Sequence, residues 1–118
     1  MDAIKERARE IGKLLSRTRE YEELKAANEK LGEDREAVTA MNQLATLEDQ
    51  ITSFIRAGRE PETELQEEYS RLAEQLQQRS SYQAVVAGQS NFERVMTTIN
   101  EEIGRGIEAG EQSRIILP

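Results

Sequence analysis

The chain has 118 residues, 36% hydrophobic and 33% charged, with a net charge of −7 at pH 7 and neither cysteine nor histidine. This length suits one domain, and the low apolar content favours thin amphipathic helices that gain burial by oligomerising. The missing residue types exclude disulfides, thiolate nucleophiles, the usual zinc ligands and the common general base near neutral pH.

The charge and the lack of long apolar runs also limit the partners and the location. A net negative charge argues against the phosphate contacts that dominate nucleic-acid binding. No apolar run approaches the roughly 20 residues of a membrane span, and the first residues lack the apolar core of a signal peptide. We therefore predict a cytoplasmic protein without a membrane span.

The first predicted helix, from about residue 2 to 16, carries an apolar stripe with a basic ridge beside it. Residues 1–19 hold six Lys/Arg against three Asp/Glu, so this end is locally basic. The ridge fits an anionic partner such as RNA or membrane headgroups, or a solvated face that pairs with acidic helices; most amphipathic helices face a core, which favours the second reading. The stripe consists of Ile4, Ala8, Ile11 and Leu15, and the ridge of Lys5, Arg9, Lys13 and Arg17.

Three further helices are predicted before the long C-terminal one. Thr18 suits the N-cap of the second helix, Gly32 its C-terminal end, and Asp34 the N-cap of the third; the alternative is one helix kinked at this turn. Gly58 and Pro61 mark the clearest break, because Gly suits a helix end and Pro the first turn of the next helix. So short a connection predicts that the third and fourth helices fold back antiparallel.

The longest helical period runs from residue 80 to about 109. Ser80 as N-cap and Gln83 three residues later predict a capping box at its start. Apolar residues then recur over about seven turns. A helix with such a stripe needs a partner surface to cover it, in its own chain or in a second copy.

Three residues on this helix are predicted to set the specificity of an oligomer interface. Gly88 either lets a neighbouring helix come close or is a tolerated mid-helix glycine. Gln89 and Asn100 either pair across the interface and fix its register, or bond to water at its edge. The predicted interface comprises Val85, Gly88, Gln89, Phe92, Met96, Ile99, Asn100 and Ile103.

Residues 1–110 are predicted to form one helical domain, and residues 111–118 a flexible tail. Glycines weaken the last turns of the long helix, and the tail ends in an apolar tip. That tip either docks onto a partner or is a frayed terminus.

No pattern in the chain predicts a catalytic or cofactor site. Acid pairs such as Glu64 and Glu68 lack the histidine of a carboxylate-bridged metal bundle and read as solvated helix faces. Phosphate-binding, dinucleotide-binding and nucleophile-elbow motifs are missing, as are strand patterns. We predict no enzymatic activity, no cofactor and no metal.

Three patterns follow one another along the chain: Ala8-x-x-Ile11-Gly12-x-x-Leu15 with Thr18-x-x-Tyr21-x-x-Leu24-x-x-Ala27, the Gly58-Arg59-Glu60-Pro61 break, and Phe92-x-x-Val95-Met96-x-x-Ile99-Asn100-x-x-Ile103. Their order and spacing resemble the YlbF/YmcA family of small bacterial helical proteins, including its YheA-like members, over roughly residues 3 to 108. The resemblance implies an all-helical fold that dimerises or assembles further, and a non-enzymatic role as adaptor or regulator.

Members of the best-understood branch of that family form a complex with one another and a third protein. They influence competence, sporulation and biofilm formation, and they act on messenger RNA processing by a membrane-associated endoribonuclease. Some bind Fe–S clusters through cysteines, which this chain lacks, so cluster binding does not carry over. The chain is more similar to the cysteine-free, YheA-like branch.

The sequence therefore predicts an all-α antiparallel bundle of about four or five helices with a long C-terminal helix, assembling as a dimer or higher oligomer. The predicted function is regulatory or adaptor-like, through contacts with itself and with another protein. The alternative is a binder of nucleic acid or membrane surfaces through the basic N-terminal helix.

Overall fold

The computed structural model describes the backbone of residues 1–116 and the side chains of residues 1–112, and this part of the chain is all-helical. It confirms the predicted all-α class and the long C-terminal helix. The five helices are α1 (Asp2–Leu15), α2 (Arg19–Glu33), α3 (Arg35–Arg56), α4 (Thr63–Gln77) and α5 (Ser80–Ile116).

Two of the predicted caps start helices as expected. The side-chain oxygen of Thr18 accepts a hydrogen bond from the Tyr21 amide at 3.2 Å, and Asp34 Oδ1 accepts one from the Ala37 amide at 3.3 Å. The predicted end of α2 at Gly32 is wrong, because the helix continues to Glu33. The extended backbone of Asp34 (φ −84°, ψ 95°) breaks the helix instead.

The predicted break near Gly58 is a glycine-terminated helix end. Gly58 has φ +71°, its amide bonds to the Ile55 carbonyl at 3.0 Å, and the Arg59 amide bonds to the Phe54 carbonyl at 2.9 Å. This pair of bonds is the Schellman motif, which satisfies the last free carbonyls of a helix. The helix after the break begins at Thr63, two residues later than the sequence predicts.

α5 begins at Ser80 as predicted, but its N-terminal cap and its C-terminal end differ from the prediction. No capping box forms, because the Gln83 side-chain amide donates to the Gln77 carbonyl at 2.9 Å. The backbone stays helical to Ile116, so most of the predicted tail from residue 111 lies within α5. Residues 117 and 118 lie outside the described residues, and the proposed docking of the apolar tip stays a prediction.

The described helices pack mainly as two pairs. α2 runs antiparallel to α5, since Leu24 lies beside Gly88 and Tyr21 beside Phe92. α3 and α4 form the predicted hairpin, which is tied by a 2.9 Å hydrogen bond from the Tyr69 hydroxyl to Glu48. That acceptor carboxylate raises the pKa of Tyr69.

The core lies where the two pairs meet. The C-terminal end of α2, the start of α3, the end of α4 and the start of α5 converge there, and each contributes small or aliphatic side chains. Leu44 and Tyr82 pack at the margin. The buried cluster consists of Ala27, Leu31, Ala37, Ala40, Leu76 and Val85.

An ionic cluster joins the two interhelical connections at this junction. Arg79, between α4 and α5, donates through Nε and Nη2 to the two carboxylate oxygens of Asp34, both at 2.8 Å. Its Nη1 donates to Glu36 at 2.6 Å, and the Ser81 hydroxyl donates to Asp34 at 2.6 Å. Bidentate pairing of this kind fixes orientation as well as distance, so the cluster holds the α2–α3 corner against the α4–α5 corner.

The molecule is much more open than a compact domain of its size. Its radius of gyration is 21.5 Å and its longest extent is 69 Å, whereas a compact chain of this length has a radius of gyration of about 13 Å. The accessible surface is 9601 Å², against about 6,500 Å² for a typical folded monomer of this mass. A single chain therefore exposes about 3,000 Å² more than a compact monomer would.

The Asp34–Arg79 pair makes a pH-dependent contribution to stability. A hydrogen bond from Arg79, and to a smaller extent one from Ser81, holds the pKa of Asp34 well below its usual range. A carboxyl whose pKa is lowered by folding contributes stability that is complete above its unfolded pKa of about 4 and is lost as the pH falls further. We expect Asp34→Asn, which keeps an N-cap side chain, to melt several degrees below the wild type between pH 5 and 8.

This difference in melting temperature should narrow below about pH 4, because the unfolded chain then binds a proton at Asp34 that the folded chain, with its lowered pKa, does not. Thermal melts followed by circular dichroism across this pH range provide the measurement. Asp49→Asn is the matched control, because Asp49 is exposed on α3 and should melt like the wild type. A difference that stays constant down to pH 2.5 would contradict the assignment.

Candidate interaction surfaces

The first half of α5 is covered by α2 of the same chain at very short range. A Cβ atom placed on Gly88 would lie 3.2 Å from the Leu24 Cα atom and 3.3 Å from Leu24 Cδ1. Alanines on both helices line the adjoining groove, at Ala27 and Ala84 among others. Of the two readings of Gly88, the structure selects the close approach of a neighbouring helix.

One turn further along, an aromatic pair continues this contact. The rings of Tyr21 and Phe92 meet edge to face, with centroids 5.5 Å apart and planes at 64°. This arrangement is favoured because the positive edge of one ring meets the negative face of the other. Phe92 is therefore half-buried before any partner binds.

The residues predicted as an oligomer interface consequently divide into two groups. Val85 and Gly88 are buried and serve an intrachain contact with α2; Phe92 and Ile99 are half-buried. Exposed in the single chain are Gln89, Met96, Asn100 and Ile103. The amides of Gln89 and Asn100 thus need no partner within one chain, and their role in an interface stays a prediction.

The second half of α5 bears an uncovered apolar stripe. Ile103 is 50% exposed and Ile107 is 62% exposed, with Met96 at the near end. α2 begins opposite this point, since Arg19 and Glu20 line the same groove as Val95. We call residues 96–112 distal α5; isolated exposed apolar residues are ordinary, but a contiguous stripe indicates a contact surface.

α1 is the other uncovered helix. It has no buried residue and makes at most marginal contact with the other described helices. Its apolar stripe is open at Ile4, which is 65% exposed, and half-buried at Ile11 and Leu15. All four ridge residues are exposed, and none forms an ion pair within residues 1–112, namely Lys5, Arg9, Lys13 and Arg17.

Two acidic side chains and the lining of the main cavity are engaged in local ion pairs. Glu68 and Glu102 each accept a 2.6 Å bond from an arginine three residues on, at exposed positions. The open cavity beside the junction has a volume of about 650 Å³ and includes Arg79, which Asp34 and Glu36 already hold. In the described part of the chain, no three acidic side chains are grouped as a metal site.

No helix among the described residues has both the length and the apolar character needed to cross a membrane.

Comparison with known proteins finds one family. A family model described as "Control of competence regulator ComK, YlbF/YmcA" matches residues 4–108. The match confirms the resemblance seen in the sequence and extends over almost the whole chain. Neither a curated protein nor a solved structure matches the chain.

The α2–α5 contact can be tested by adding one methyl group at two glycines of α5. Gly106 has no atom within 4 Å of the added Cβ, so Gly106→Ala should raise the free energy of unfolding by up to about 1 kcal/mol through helix propensity. Gly88→Ala should lower it, because the new Cβ meets the Leu24 backbone, which cannot rotate away. Urea unfolding of both variants measures the two effects, and equal gains would contradict the close approach.

Proposed function

Because this chain belongs to the YlbF/YmcA family, described as control of the competence regulator ComK, we propose that it is a non-enzymatic regulatory protein that self-associates and acts through protein contacts in the cytoplasm. Its regulatory character follows from the family. The observation that carries the self-association is the surface of the single chain, which exceeds that of a compact monomer by about 3,000 Å².

This excess is large compared with the area that an interface needs. Stable protein interfaces bury about 800 Å² on each partner, so the excess could supply such an area several times over. The exposed surface includes the apolar stripe of distal α5, around Ile103 and Ile107. Removing these side chains from water would contribute roughly 25 cal/mol for each Å² of apolar surface.

The residue types of the chain support the non-enzymatic part of the proposal. Catalysis near neutral pH usually depends on histidine or on an activated cysteine thiolate, and the sequence contains neither. The acid groups that could replace them lie on exposed helix faces, as at Glu68 and Glu102. The proposed activity therefore resides in surfaces that bind other proteins.

The exposed basic ridge on α1 supports a second candidate function, binding to nucleic acid or to an anionic membrane surface. The ridge residues are all exposed to solvent, although the chain as a whole is acidic. Phosphate contacts of this kind weaken steeply with salt.

The two candidate functions predict different results for the variant in which Lys5, Arg9, Lys13 and Arg17 are all replaced by Ala. Under the leading proposal, neither the wild type nor this variant should bind a fluorescent RNA oligomer or phosphatidylserine vesicles at 50 mM salt. Salt-sensitive binding by the wild type that is lost in the variant would favour the second candidate.

Self-association should depend on distal α5 and not on exposed apolar residues in general. In size exclusion with light scattering at low micromolar concentration, the wild type should have at least twice the 13.4 kDa mass of one chain. The Ile103→Glu variant should be monomeric, because assembly would bury an unpaired carboxylate in the interface, which is energetically costly. Ile55→Glu is the matched control at a residue 62% exposed on α3 and should assemble normally; a monomeric wild type would contradict the proposal.

The regulatory role can be tested with the same two variants. In a host that lacks this protein and carries a ComK-dependent reporter, the wild type and Ile55→Glu should restore normal reporter expression, whereas Ile103→Glu should not. Equal restoration of reporter expression by all three proteins would show that the regulatory role does not depend on self-association. An unchanged reporter in the deletion strain would contradict the link to ComK.

A further inference from the structure

We propose that α1 of one copy packs on distal α5 of a second copy, and that the exchange is reciprocal. This inference rests on the proposed self-association and specifies its geometry. It commits to a second copy of this chain as the occupant of both uncovered stripes. Three observations support it: the dimensions of the two surfaces, their apolar stripes and their opposite charges.

The dimensions match because α2 covers one half of α5 and leaves the other half free. With Tyr21 beside Phe92 and Arg19 beside Val95, α2 begins opposite residues 94–98. From residue 98 to residue 112, the end of distal α5, the helix continues for about 21 Å at 1.5 Å per residue. α1 has 14 residues and is about 21 Å long, so it fits along this free half.

Both surfaces carry an apolar stripe without an adequate partner in the chain. On α1 the stripe includes Ile4, with Leu14 beside it 63% exposed. On distal α5 it includes Ile103 and Ile107. Two helices with uncovered stripes of similar length bury both by packing against each other.

The charges around the two stripes are opposite. α1 carries four basic and three acidic side chains and is followed by Arg17 in the turn, whereas residues 100–112 carry one basic and four acidic ones. Pairing α1 with distal α5 therefore places a net positive surface against a net negative one. Pairing α5 with α5, or α1 with α1, would bring like charges together, which disfavours those arrangements.

A second copy fits these surfaces better than a refolded single chain. α1 is joined to α2 by the short turn at residues 16–18, opposite the start of distal α5, yet it does not pack along its own α5. A reciprocal exchange gives a closed two-fold dimer, since each copy provides one α1 and one distal α5. Both uncovered stripes of both copies are then buried at once.

Exchanging the charges of the two surfaces tests this pairing. The test does not depend on which residues of α1 and distal α5 face each other. The α1 variant combines Lys5→Glu, Arg9→Glu and Lys13→Glu; the α5 variant combines Glu101→Lys, Glu108→Lys and Glu111→Lys, which leaves the Glu102–Arg105 pair intact. In sedimentation velocity, each variant alone should show a dimer dissociation constant at least tenfold above that of the wild type. An equimolar mixture should return to within about threefold of wild type, because each mixed dimer again has two oppositely charged contacts.

The other arrangements give different outcomes, and each would overturn the inference. If α5 pairs with α5, the α5 variant alone keeps the wild-type dissociation constant, since six like charges change sign together. If α1 packs on its own α5, the variants lower the melting temperature without changing the dissociation constant. A wild type that stays monomeric at 100 µM would refute the proposed self-association itself, whereas a wild-type dimer that ignores the charge changes refutes only this pairing.

Discussion

The bidentate contact between Arg79 and Asp34 determines how the two helix pairs are related. Asp34 ends α2, caps α3 and accepts from Arg79 and Ser81, so one carboxylate orients both corners of the chain. The core around it is made largely of alanine and leucine, and small side chains of this kind fix relative orientation poorly because they offer little shape. The charged hydrogen bonds fix the relative orientation of the two helix pairs, and the apolar cluster removes apolar surface from water.

Outside this junction the molecule is only two helices thick. Such a pair leaves one side of each helix in water, which explains why the chain exposes far more surface than a compact domain of its size. The close approach at Gly88 concentrates the α2 contact on the first half of α5. The stripe continues beyond the reach of α2, and this continuation is what makes distal α5 available to a partner.

These features suit a protein that acts by binding partners. The family is regulatory, and the chain offers two uncovered amphipathic helical surfaces, with basic charge on α1 and acidic charge on distal α5. A fold anchored at one junction can present both surfaces without changing its own core. Under the proposed exchange, assembly would cover the stripes and neutralise part of the ridge, so self-association and anion binding would compete for α1.

Local physics determined that these helices form, and the sequence alone was sufficient to predict their number and several of their ends, from the period of the apolar residues, the caps at Thr18 and Asp34, and the glycine end at Gly58. The tertiary structure decided which residues meet. Arg79 and Asp34 lie 45 positions apart, and no helical period relates one to the other. The sequence likewise predicts one continuous apolar stripe on α5, but in the structure α2 covers its first half and leaves distal α5 exposed. The sequence pattern could not predict this division, because it depends on where a neighbouring helix lies in the folded chain.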